Sequence, residues 1–133
     1  MLSLFPQLFD YWLLGPLVLR IALAAVCIAH GYPKLFGGLS GTARFFESIN
    51  IKPGKFWALV VGIVEFFGGI LLIVGFLVQP VALLLVVDMV VAIWKVKRKE
   101  GFVHGYEFEL VLLVIAFSLL VLGPGAFSID LPL

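Results

Sequence analysis

The sequence has 133 residues, 63% hydrophobic and 13% charged, with a formal net charge of +1 and a mean hydropathy of +1.22. A soluble domain of this size needs a charged surface that this composition does not supply, and the small net charge leaves no electrostatic footprint for nucleic acid. Lipid is the solvent that suits such a chain. The apolar stretches are continuous and do not alternate, which selects a helical bundle over a closed barrel.

In chain order, residues 1–15 are aromatic and mildly amphipathic, with Phe5, Leu8, Phe9, Tyr11 and Trp12. This reads as an interfacial lead-in, because Trp and Tyr favour the headgroup level. It has no basic start and no small-residue cleavage site, so no removable signal peptide is expected. The first span is expected over about 13–29, opened by Gly15-Pro16. A Gly- and Pro-punctuated loop follows. Inside it, residues 42–48 can form a short interfacial helix, with Phe45 and Phe46 towards lipid and Arg44 and Glu47 towards water.

The second span, 56–78, has 23 residues, and a bilayer core needs about 20. Gln79-Pro80 turns the chain into the third span, 81–94, which ends in Lys95, Lys97, Arg98 and Lys99. The fourth, 108–122, stops at Gly123-Pro124-Gly125. The expected fold class is all-α: a single domain made of a four-transmembrane-helix bundle with a short interfacial helix between helices 1 and 2.

Eight of the nine Lys and Arg fall in the first and third loops. Positive loops stay inside, so both termini are expected outside the cytoplasm, in a multi-pass protein of the cell membrane.

The ninth, Arg20, lies within a predicted span, as do Glu65 and Asp88. Each costs about 2.5–3.5 kcal/mol or more facing lipid at mid-bilayer, so each should face the bundle interior. Counted from the expected helix ends, all three fall roughly 10–15 Å below the cytoplasmic face. A bidentate Arg20–Glu65 pair is therefore expected, with Asp88 as a second partner or as a carboxyl held protonated. The cluster is a candidate substrate or proton site, or an ion pair that fixes helix register.

His30, Lys34, His104 and Glu107 lie near the cytoplasmic ends and could form a polar mouth above it, or act as caps and headgroup contacts. No metal-ligand spacing joins the two histidines, so neither metal nor haem is expected. Gly62 and Gly69, seven residues apart, share a face suited to close helix packing. Cys27 is the only cysteine, which leaves no disulfide framework; it reads as a small buried hydrophobe.

These motifs resemble the DoxX family. Arg20 followed by His30-Gly31 and Lys34-Leu35-Phe36-Gly37 is similar to its opening. Glu65 with Gly68-Gly69 and Gly75 is similar to its second helix, and Met89 with Ala92 to its third. Gly105-Tyr106-Glu107 and the ending Gly123-Pro124-Gly125, Ser128 and Asp130 complete the likeness. Pro33 and Asp88 depart from the usual pattern. The resemblance implies a four-helix inner-membrane protein linked to redox chemistry, one branch being the quinone-facing subunit of a thiosulfate:quinone oxidoreductase. Vitamin K epoxide reductase-like chemistry needs paired cysteines, which this chain lacks.

The leading functional expectation is a quinone-linked oxidoreductase subunit. Arg20, Glu65 and Asp88 would be its reacting groups, His30, Lys34 and Glu107 would hold the quinone, and Trp57, Phe66 and Phe67 would line the pocket. No flavin, nicotinamide, haem or iron–sulfur signature is present, so electrons would come from a partner redox subunit or directly from substrate. The alternative is a non-enzymatic scaffold subunit of a larger complex, which the apolar surface and the glycine stripe suit, and a homo-oligomer is a further expectation. A small transporter has less support, because no inverted repeat is visible.

Overall fold

The computed structural model describes residues 3–130. Met1 and Leu2 of the expected lead-in lie outside the described residues. A short 3-10 helix, Pro6–Tyr11, leads into α1, Leu14–Leu35. Helix α2, Leu39–Ser48, lies before α3, Gly54–Val74. Helix α4, Val78–Ala92, runs on through a wider π turn, Ile93–Lys97, to Glu100, and α5, Glu107–Leu122, completes the bundle. The described chain is all helical, and four of its helical rods are long and apolar enough to cross a membrane. This is a multi-pass membrane protein.

Helix α1 does not stop near Ala29. It continues through Pro33 to Leu35. A proline removes one backbone donor and crowds one carbonyl, a local cost that packing can offset. Here Gly31 lies flat against α3, where an added Cβ would meet the Phe66 backbone nitrogen at 2.5 Å. Further along, a Cβ on Gly69 would meet Ile28 at 2.6 Å. The small residues therefore let α1 and α3 approach along much of their length. In lipid that close approach stabilises through van der Waals contact, since lipid tails are as apolar as Leu. Leu23, Ala24 and Cys27 of α1 meet Leu72 of α3, Ala82 and Leu85 of α4, and Ala116 and Leu119 of α5 in one buried core. Outside it, Val18, Ile21, Ile63, Phe67, Leu83, Val111 and Phe117 are exposed and face the bilayer.

Helix α3 ends at Gly75, whose φ of 73° is left-handed and suits glycine. The N–H groups of Gly75 and Phe76 both donate to the Leu71 carbonyl. The chain tail folds back over this corner. Ile129 N–H donates to the Val74 carbonyl and Asp130 N–H to the Gly75 carbonyl. The Asp130 carboxylate accepts from the N–H groups of Leu77 at 2.9 Å and Val78 at 2.7 Å, capping α4.

Candidate functional site

The intramembrane charges separate into two places. Arg20 is 0% exposed. It donates to the carbonyls of Leu72 at 2.9 Å and Ile73 at 3.3 Å, at the end of α3, and to those of Ala126 at 2.6 Å and Phe127 at 3.1 Å in the tail. The partial negative charge at a helix C-terminus suits a guanidinium. Arg20 is thus a staple between α1, α3 and the tail, and the expected Arg20–Glu65 pair does not form.

The reason is depth. With α1 running to Leu35, Arg20 lies fifteen residues before its end, about 22 Å along the axis. It is level with Leu72, seven residues beyond Glu65, or about 10 Å.

Glu65, 4% exposed, is instead paired with Lys34, whose ammonium donates to both carboxylate oxygens at 2.9 and 2.8 Å. The extension of α1 past Pro33 brings Lys34 there, and Gly31 opposite Glu65 lets the helices close around the pair. Asp88, from α4, lies beside the Glu65 carboxyl. One of its oxygens is buried with no hydrogen-bond partner.

These groups line a cavity of about 790 Å³ at the end of the bundle that carries the basic loops. Its walls are mostly apolar and aromatic: Val26, Val61, Val64, Leu84, Leu112, Phe108, Trp57 and Trp94. His30 also lines it, with its ring 5.7 Å from that of Phe108. Phe45 and Phe46 of α2 line its edge instead of facing only lipid. Phe66 and Phe67 do not line it. Phe66 meets Phe36 edge to face at 5.5 Å, and Phe67 is 49% exposed on the outer face.

Glu107 is not among the lining residues. It accepts the His104 backbone N–H at 3.2 Å and so closes the bend before α5. His104 itself is exposed and remains outside the cavity lining. Glu109, which sequence reasoning passed over, does line the cavity. Its side chain is 14% exposed, one oxygen is buried without a partner, and the other lies 4.0 Å from Lys97. The signal was available: Glu109, Leu112, Ala116 and Leu119 fall at helical spacing on one face, and the last three form core. Among the described residues, no group of three or more His, Cys, Asp or Glu side chains converges to hold a metal.

The arrangement offers hydrogen-bond donors and acceptors at the base of an apolar, aromatic chamber. Such a chamber takes a flat or amphiphilic molecule by its walls and orients its polar head by a few fixed groups.

Comparison with known proteins places the chain among relatives of the same kind. The DoxX family model matches residues 15–98. A Bacillus subtilis (strain 168) protein named "Putative oxidoreductase CatD" is 32% identical over 88% of this chain and 85% of its own length. The uncharacterized membrane protein Rv3486 of Mycobacterium tuberculosis is 32% identical over 84% of this chain and 77% of its own. The inner membrane protein YphA of Escherichia coli (strain K12) is 29% identical over 92% of this chain and 94% of its own. No solved structure matches.

Proposed function

This chain belongs to the DoxX family, and from that premise we propose that it is the membrane subunit of a quinone-linked oxidoreductase, holding a quinone-type molecule in its cavity. One observation carries the reading. A chamber of about 790 Å³, walled by apolar and aromatic side chains, has the Lys34–Glu65 pair, His30 and Asp88 as its inner polar groups. A quinone is chemically matched to that set. Its ring and tail are apolar, and its carbonyl oxygens accept from Lys34 or His30. One relative's name, an oxidoreductase, points the same way.

The quinone supplies two-electron acceptance when bound. The protein's own residues supply the rest. Trp57, Trp94 and Phe108 orient the ring, Lys34 holds the oxygen, and Asp88 and Glu65 hold protons near it. Electrons come from a partner redox subunit or directly from substrate, because the sequence carries no flavin, nicotinamide or iron–sulfur signature of its own. In this reading the protein lies in the cell membrane with its basic loops, and the mouth of the cavity, at the cytoplasmic face and both termini outside.

The test is a titration of a short-chain quinone into protein in nanodiscs, followed by tryptophan fluorescence. Of the three tryptophans, Trp57 and Trp94 line the cavity, and Trp12→Phe removes the third as background. Saturable quenching that weakens in Lys34→Met is expected. Quenching that rises linearly, without saturation, would reject the reading.

A further inference from the structure

Lys34 spends two of its three N–H donors on Glu65, one on each oxygen. Its charge therefore balances one carboxylate. Asp88 adds a second carboxyl beside the first, with an oxygen sealed from water and without a donor. Two ionised carboxylates on one low-dielectric cavity repel, and neither has a hydrogen to give the other. One proton between them removes both difficulties and leaves the trio of Lys34, Glu65 and Asp88 neutral.

No other charge around the cavity takes over that role. From α1 the facing groups are His30 and Lys34, together with the Cys27 thiol. Helix α2 contributes no charged group to the lining. Beyond α4, Lys95 lies over the Trp94 ring at 4.7 Å. Lys97 is shared between Glu100 at 3.4 Å and Glu109 at 4.0 Å. Glu109, on α5, thus has one end at a half-exposed lysine and one oxygen inside the protein, on the same cavity as Asp88. The cavity that both carboxyls line has room for several waters at about 30 Å³ each.

We propose that Glu65 and Asp88 hold one exchangeable proton between them, and that Glu109 relays it between this pair and the aqueous face marked by Lys97. On release, the O–H bond at the pair breaks and one forms on the Glu109 carboxylate, which then passes the proton to water. The trio goes from neutral to a charge of minus one. On loading, the steps reverse. No electron moves, so the site works as a proton store whatever molecule occupies the cavity.

The experiment is infrared spectroscopy of the whole protein in nanodiscs at neutral pH, without quinone. The wild type should show a protonated-carboxyl stretch that shifts in D₂O. That band should vanish in Asp88→Asn, and in Glu65→Gln, where Asp88 becomes the partner of Lys34. Glu109→Gln should keep the band and slow its hydrogen–deuterium exchange by about tenfold or more. Absence of the band in the wild type, or its survival in both Asp88→Asn and Glu65→Gln, would overturn the shared proton. Wild-type exchange in Glu109→Gln would overturn the relay. If Asp88→Asn fails to insert, Glu65→Gln decides the first point. Because quinone is absent throughout, a failure of quinone to bind would sink the functional reading and leave this result standing.

Discussion

The two ends of the bundle treat buried charge in opposite ways. At the tail end, Arg20 meets four backbone carbonyls and is shut off from solvent. At the other end, the Lys34–Glu65 pair shares its cavity with Asp88 and Glu109, each of which has a buried oxygen without a partner. The two terminal nitrogens of the guanidinium are spent on four carbonyls, and its Nε is buried without a partner. A partly satisfied cluster that opens on an apolar chamber has both reason and room to bind one. The first arrangement ties the tail to the bundle, and the second is the site we propose for a ligand. Ionisable residues in membranes are functional candidates by default, and the carbonyl partners of Arg20 give it a structural role that the charge alone did not announce.

The contrast breaks most sharply at Arg20. Arg20→Ala leaves buried carbonyls without donors and removes the buried tie between α1, α3 and the tail, at a cost of about 3–5 kcal/mol. Thermal unfolding in detergent should fall steeply, with Arg20→Lys in between. Lys34→Met strands Glu65 without its cation, and the same class of loss, about 3–5 kcal/mol, applies. Here the partner matters. Lys34→Met with Glu65→Met removes the whole pair and should recover most of the stability while quinone binding stays weakened. A double variant as unstable as the single one would show that the pair is not isolated from the rest of the bundle. A smaller effect is expected at Asp130, which caps α4. Asp130→Asn should cost about 1 kcal/mol, visible as a lower unfolding midpoint with quinone quenching unchanged.

Much of the fold is legible in the sequence. Four uninterrupted apolar runs, separated by Gly, Pro and Lys-rich punctuation, leave few alternatives once lipid is the solvent. What was harder to read is register. Pro33 looks like a stop, yet the helix passes it because Gly31 is held against α3, and that contact is not visible from α1 alone. Those six extra residues, from Ala29 to Leu35, move the end from which depth is counted. They replace Arg20 with Lys34 as the partner of Glu65. The physics that sends a charge inward was correct, but it does not say which partner waits there. Backbone carbonyls of a tail fifty residues beyond α3 carry no signature in side-chain chemistry. Glu107 and Glu109 show the finer version of the same problem. Two residues apart on a helix, they point to different sides, and only the spacing to Leu112 and Ala116 tells which one enters the bundle.

The most direct measurement compares quinone affinity in two charge variants of the same protein, Arg20→Lys and Glu65→Gln. Wild-type affinity in folded Arg20→Lys and a loss of about tenfold or more in Glu65→Gln is the outcome that fits a staple at one end and a binding site at the other. Weakened binding in Arg20→Lys with Glu65→Gln unaffected would contradict it.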